Sequence, residues 1–306
     1  MELLYILEGL RTPLGDAFFS LVTLLGEETL FIVAGLLVFW CLDKWEGYYL
    51  LSVGLTGTVI NQFLKLWFRV PRPWVKDPNF TIVESAREGA TGYSFPSGHT
   101  QSSVGVFGSA ARWHRQKAVR TVCVLLCVLV PLSRMYLGVH TPADVGVSVL
   151  VALALIFGMY PFIRKAVHSP KTMRLLLIGM VALAAGYLAF VSLYLFPADV
   201  DMHNLTHGTK NAYTMLGCML GVWATYEADS RWTKFDTAAP LLGQICKLAL
   251  GLGLLLAIKA GAKAPLQALF ANDYFADGLR YFLMVVFAGC LWPLSFPLWK
   301  KVRRKK

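Results

Sequence analysis

Long apolar runs separated by short basic segments constrain this chain more than any other feature. Runs of that length are stable as helices that cross a bilayer, because a helix satisfies its own backbone hydrogen bonds there. Each crossing takes about 20 mostly apolar residues, and the sequence offers about nine candidates. They lie near Thr29–Leu42, Gly47–Leu66, Thr100–Trp113, Ala118–Leu137, Ala143–Ile163, Met173–Leu195, Ala212–Tyr226, Leu241–Ala262 and Leu279–Leu298. The stretch from Leu3 to Leu25 carries Arg11, Pro13 and Asp16 and reads as interfacial helix pieces, with a tenth span as the alternative. The expected fold class is all-α, a polytopic helical membrane protein. Residues 1–170 form an N-terminal interfacial segment plus a membrane core. Residues 171–306 add membrane helices and a basic tail to the same membrane domain.

Composition agrees, since 56% of the 306 residues are hydrophobic and only 15% are charged. A soluble domain of this size would carry more charge on its surface. The formal net charge of +11 would suit nucleic acid, but its placement excludes that partner. The basic residues cluster between apolar runs, as in the positive-inside pattern. Arg112, Arg115, Lys117 and Arg120 fall in one loop, and Arg164, Lys165, Lys171 and Arg174 in another. Lys300, Lys301, Arg303, Arg304, Lys305 and Lys306 lie in the tail. With nine spans all three groups share one side, which is read as cytoplasmic. The N-terminus and the Lys65–His99, Arg134–His140, Pro197–Lys210 and Lys263–Asp277 connections then face outward. That outer side also holds Lys65, Arg69, Arg72, Lys76, Arg87 and Arg134, against the bias. Something there wants positive charge.

Met1 to Leu10 contains Glu2 and Glu8 and no early basic residue, so it does not read as a secretory signal peptide. The six cysteines lie in or beside apolar runs without metal-ligand spacing to histidine and read as small apolar helix residues.

Three stretches concentrate on the outer face. Lys65-Leu66-Trp67-Phe68-Arg69-Val70-Pro71-Arg72-Pro73 ends the second span. Alone, its cations could simply snorkel to the interface. Phe95-Pro96-Ser97-Gly98-His99 leads into the third span. Ser97 suits an N-cap, and a helix start with small residues offers free N–H groups and a positive dipole end to an anion. Alone, it is an ordinary capped helix start. In the third stretch, Ser133 to Asp144, Thr141 suits an N-cap and Pro142 the first helical position. Asp144 lies one turn on from His140, where its carboxylate can take Nδ1–H and leave Nε2 free to attack. Thr141 and Asp144 also make a capping box, and the two roles are compatible.

Together the stretches resemble the tripartite signature of the type 2 phosphatidic acid phosphatase superfamily. Lys-x6-Arg-Pro, Pro-Ser-Gly-His and Ser-Arg-x5-His-x3-Asp all occur in order between Lys65 and Asp144. The resemblance implies a catalytic core of five to six helices that hydrolyses phosphate esters. It implies that Lys65, Arg72 and Arg134 hold phosphate oxygens together with Ser97 and Gly98. His140 is then the nucleophile, and Asp144 orients it. His99 protonates the leaving oxygen and afterwards activates water. No metal and no cofactor is implied. Three cations and a helix N-terminus fit phosphoryl transfer, which chiefly needs positioning and charge neutralisation.

The implied substrate is a lipid phosphate presented by the bilayer: phosphatidate, phosphatidylglycerol phosphate, a sphingoid phosphate, or a polyprenyl phosphate or pyrophosphate. A plasma-membrane enzyme with an extracytoplasmic site and a cytoplasmic C-terminus follows from the topology. A phosphatase or phosphotransferase acting on a soluble sugar phosphate is the alternative, since nine spans with the N-terminus outside also resemble the glucose-6-phosphatase group. A transporter or lipid-binding protein with an inactive site is the third reading. His203 and His207, with Asp199 and Asp201, read as a solvated loop rather than a metal site. Asn204-Leu205-Thr206 is a glycosylation sequon.

Overall fold

A computed structural model describes residues 1–301, and no strand occurs among the described residues. The tail residues Arg303, Arg304, Lys305 and Lys306 lie outside the described residues. The helices are α1 (Glu2–Gly9), α2 (Pro13–Thr23), α3 (Glu28–Leu37), α4 (Lys44–Phe68), α5 (Pro73–Lys76), α6 (Gly98–Trp113) and α7 (Lys117–Tyr136). They continue as α8 (Pro142–Ala166), α9 (Pro170–Leu193), α10 (Met202–Ala228), α11 (Leu241–Gly261), α12 (Lys263–Leu269), α13 (Asp273–Val286) and α14 (Phe296–Trp299).

Among the described residues, five helical segments are long and apolar enough to cross a membrane: Lys117–Tyr136, Pro142–Ala166, Pro170–Leu193, Leu241–Leu269 and Asp273–Trp299. Pro13–Gly26 and Glu28–Leu42 pass the same test together as a pair bent by 53°, the geometry of a broken span or a re-entrant loop, and the count reaches six if the pair is one span. The chain is therefore an all-helical integral membrane protein. The sequence expectation of about nine spans goes beyond these six. α6 has 16 residues, α4 carries Glu46, Asn61, Gln62 and Lys65, and α10 carries His203, His207, Lys210 and Glu227. Those polar residues lower the apolar content that marks a span.

The chain divides into two compact units. The first comprises Met1–Ile32, Ser52–Tyr160 and Phe196–Gly208. In it α6 and α7 pack together, and α1 and α2 rest on α7. Thr12 caps α2 by accepting from Gly15 N at 3.1 Å, and Pro13 opens the helix, where its missing N–H costs nothing. The same Thr12 donates its N–H to Tyr136 Oη at 3.1 Å, and Arg11 Nε donates to the Tyr136 carbonyl at 3.0 Å. The Phe19 and Tyr136 rings lie 4.3 Å apart. Tyr136, Leu137 and Val139 are buried with Ala86 and Ala90, against Phe19, Trp74 and Val83. Burying residues such as Leu137 and Val139 is worth about 1.5–3 kcal/mol each. The end of α7 is thus fixed in an apolar core immediately before the turn that carries His140.

The second unit comprises Val33–Leu51, Pro161–Leu195 and the chain from Thr209 onward. Arg174 on α9 makes a paired contact with Glu227 on α10, its Nε lying 2.6 Å from Oε1 and its Nη2 3.0 Å from Oε2. Lys44 Nζ meets Asp229 at 2.8 Å. Lys247 is fully buried, donates to the Thr237 carbonyl at 2.9 Å and sits 4.4 Å from the Phe296 ring centre. The lysine that sequence places inside an apolar span is satisfied by a carbonyl and an aromatic face.

Candidate active site

α4 ends at Phe68, and Arg69 takes a left-handed φ of 50° that turns the chain away from the helix axis. This turn brings Arg72 back under the loop 91–93. Arg72 Nη2 donates to the Thr91 carbonyl at 2.8 Å and Nε to the Gly92 carbonyl at 2.9 Å. Its Nη1 donates to the Val139 carbonyl and to His140 Nε2, both at 2.9 Å. Lys65, in the last turn of α4, donates to the Tyr93 carbonyl at 2.6 Å. One loop of carbonyls therefore holds two of the predicted phosphate-binding cations.

Ser97 caps α6, its Oγ accepting from Thr100 N at 3.4 Å. Its N–H donates to the Asp144 carbonyl at 3.1 Å, and its carbonyl accepts from Ser148 Oγ at 2.9 Å. The starts of α6 and α8 are tied together by these bonds, so the positive end of α6 and His140 share one wall.

The turn after α7 depends on Gly138, whose φ of +82° is the left-handed region that favours glycine. A Cβ there would lie 2.6 Å from Arg11 Nη2 and 3.0 Å from the Phe80 ring. The turn lets Val139 N and His140 N both donate to the Arg134 carbonyl, at 3.1 and 3.3 Å. Arg134 is buried, and its Nη1 donates to Thr23 Oγ1 at 2.6 Å. Its Nε and Nη2 meet no acceptor among the described residues. A buried guanidinium with two N–H directions unspent is suited to an anion.

His140 is 2% exposed. The arginine can only donate, so Nε2 is the acceptor and Nδ1 carries the proton. Nδ1 lies 3.4 Å from Ser94 Oγ and 3.5 Å from Asp144 Oδ2. Ser94 Oγ in turn donates to Asp144 Oδ2 at 2.5 Å. Asp144 Oδ2 also accepts from Thr141 N at 2.7 Å, while Asp144 N donates to Thr141 Oγ1 at 3.3 Å. Capping box and histidine orientation thus use the same carboxylate oxygen. Burial, then the neighbouring Arg72 and Arg134, holds the His140 imidazole well below the ordinary histidine range. Burial also lowers the Arg72 guanidinium to about 10, with Asp144 opposing the shift.

A cavity of about 250 Å³ opens onto this constellation. Lys65, Arg72, Gly98, His99, Arg134 and His140 line it. The two other predicted site residues, Ser97 and Asp144, are buried and stand behind the wall. Ser97 Oγ accepts at the helix cap, which leaves its O–H free to donate. Sequence reasoning missed Ser94 and Thr23, which orient His140 and Arg134. It also missed Asn61 and Gln101, which line the cavity. Asn61 sits one turn before Lys65 and so on its face of α4, a spacing that could have marked it. Ser94 follows no spacing of that kind, because a loop brings it in. His203 and His207 also line the cavity, at its α10 side, together with the sequon residue Asn204. Among the described residues no cluster of three or more histidine, cysteine or carboxylate side chains is placed to hold a metal ion.

The profile of the PAP2 superfamily matches residues 45–168, a range that contains every predicted site residue. A second profile, the transmembrane extension of PAP2 superfamily phosphatases, matches residues 213–304. Phosphatidylglycerophosphatase B of Bacillus subtilis is 29% identical over 51% of this chain and 79% of its own length. Undecaprenyl-diphosphatase BcrC of the same organism is 32% identical over 36% of this chain and 53% of its own length. A Dictyostelium discoideum protein named "Probable sphingosine-1-phosphate phosphatase" is 26% identical over 78% of this chain and 58% of its own length. The chain thus spans little more than half the length of the second and third of these relatives. No solved structure matches it. With both profiles in sequence along one chain and the signature residues gathered around one cavity, the chain belongs to the PAP2 superfamily.

Proposed function

We propose that this protein is an integral membrane phosphatase that hydrolyses a lipid phosphate monoester or pyrophosphate through a phosphohistidine on His140. The observation that carries the reading is the bonding around His140: Nδ1–H faces Ser94 and Asp144 while Nε2 looks toward Arg72 in the cavity. That tautomer presents a lone pair where phosphorus would sit.

Lys65, Arg72 and Arg134, with the Gly98 N–H, take the non-bridging oxygens. Arg72 exchanges His140 Nε2 for a phosphate oxygen. Nε2 then forms the N–P bond as the bridging P–O bond breaks, and His99 gives its proton to the departing oxygen. Asp144 and Ser94 hold Nδ1–H and stabilise the phosphoimidazolium. His99, now neutral, takes a proton from water, whose oxygen attacks phosphorus and returns His140 and inorganic phosphate. The chain's own cations neutralise the charge, so neither a metal nor a cofactor enters the scheme.

A lipid substrate is favoured by the relatives, named for phosphatidylglycerophosphate, undecaprenyl diphosphate and sphingosine 1-phosphate. Trp67, Phe68 and Val75 add exposed apolar surface next to the phosphate-binding stretch, which suits an acyl or prenyl chain. The basic loops support an extracytoplasmic site at the plasma membrane with a cytoplasmic C-terminus.

Turnover in detergent with excess chelator tests this reading. Phosphatidate, a sphingoid phosphate and a polyprenyl diphosphate would be compared with glucose 6-phosphate. Chelator-resistant hydrolysis of a long-chain substrate is expected. Preference for the sugar phosphate, or activity restored only by a divalent ion, contradicts it.

A further inference from the structure

Two buried amides stand among the cavity residues that the phosphoryl-transfer scheme leaves unused. Asn61 on α4 and Gln101 on α6 are 3% and 4% exposed, and both line the cavity. Asn61 Nδ2 and Oδ1 and Gln101 Nε2 and Oε1 find no hydrogen-bond partner among the described residues. Orphaned amide groups at that depth are costly, and an apolar residue would suit a helix in a membrane bundle better.

Their placement is specific. Gly57, Asn61 and Lys65 follow one another at helical spacing on one face of α4. Gly57 is opposed by Gln101, whose Nε2 would lie 2.6 Å from a Cβ at that position. Asn61 Oδ1 lies 3.9 Å from the Cβ position of Gly98. Asn61 therefore sits beside the α6 N-terminus, where phosphate oxygens would bind, and Gln101 extends the same cavity wall from the first turn of α6.

We infer that Asn61 and Gln101 form a subsite for a hydroxyl group on the leaving group, close to the phosphate. The inference rests on the phosphatase reading and names its substrate class: phosphomonoesters with a free hydroxyl within a few bonds of the phosphate ester oxygen. Each amide presents both a donor and an acceptor. A hydroxyl does the same and can satisfy both kinds of atom. A second phosphate accepts from the amide N–H groups but leaves the amide oxygens facing negative charge. An acyl or prenyl chain satisfies neither.

The test compares sn-glycerol 3-phosphate with n-propyl phosphate, which has the same carbon chain without the two hydroxyls. Initial rates are measured for the full chain in detergent and for N61L, Q101M and the double variant. Wild type should favour the glycerol ester by about 10-fold or more in kcat/KM. The double variant should bring the ratio near one through loss on the glycerol ester, with propyl phosphate hydrolysis within about 3-fold of wild type. The single variants, each losing part of the preference, serve if the double variant does not fold. A wild-type ratio near one, as when the amides hold only bound water, overturns the subsite. So does an equal loss on both esters. Failure to hydrolyse either ester or a long-chain phosphomonoester, with no thermal protection by inorganic phosphate, instead overturns the phosphatase reading, and the subsite falls with it; hydrolysis of the long-chain ester alone overturns the subsite.

Discussion

Arg72 Nη1 donates to His140 Nε2 at 2.9 Å, so the atom proposed to attack phosphorus is held by a residue proposed to bind it. The contact fixes the imidazole tautomer and keeps a positive charge beside the ring. Burial and that charge act in the same direction, against the imidazolium. His140 should remain neutral well below the ordinary histidine value of about 6.5. Nitrogen-15 spectra of histidine-labelled protein across pH 5 to 8 (about the range in which ordinary histidines titrate) check this, with H140A giving the assignment. A neutral His140 at about pH 6 is the expected result, and a midpoint at or above about 6.5 contradicts it.

Ser94 is expected to matter although no motif contains it. Its hydroxyl lies 2.5 Å from Asp144 Oδ2 and 3.4 Å from His140 Nδ1, so it relays orientation from carboxylate to imidazole. A hydrogen bond to a charged group contributes about 1.5–3 kcal/mol, and S94A should lower kcat by about 10- to 100-fold. KM should change little, because Ser94 does not line the phosphate cavity. S94T, which keeps the hydroxyl, should recover part of the loss. A change confined to KM would place Ser94 in binding instead.

Gly138 links the fold to the site. Its φ of +82° and the 2.6 Å approach of Arg11 Nη2 leave no room for a side chain without movement. G138A should cost about 1–3 kcal/mol of stability. It should also lower activity at temperatures where the protein is still folded, since the same turn positions His140. Thermal unfolding in detergent and a rate measurement would show both effects. Unchanged stability and rate would mean that the turn tolerates a Cβ.

The helical class and the signature cations were legible in the sequence, because apolar runs and fixed spacings are local signals. Lys65, Arg72, Gly98, His99, Arg134 and His140 do line one cavity. What spacing could not show is how tertiary structure uses them. The loop holding Arg72 and Lys65 acts through the carbonyls of Thr91, Gly92 and Tyr93, which any sequence would supply. Thr23 reaches Arg134 across 111 positions, and Ser94 reaches Asp144 across 50. The span count was harder for a related reason. α4, α6 and α10 place Asn61, Gln101 and His203 at the cavity, and those polar residues dilute the apolar signal.

The covalent intermediate on His140 should become visible in H99A. An aryl phosphate has a good leaving group and depends less on a general acid than an alkyl phosphate does. With H99A, attack on the aryl ester should proceed while hydrolysis of the phosphoenzyme stalls, because water lacks its base. A burst of phenol followed by a slow steady state is the expected trace. The decisive measurement is mass spectrometry of the base-quenched protein after that burst. The account predicts an acid-labile phosphoryl group on His140 in H99A and none on the H99A/H140A double variant. Sustained turnover by H140A, or a phosphoryl group carried by another residue, would contradict it.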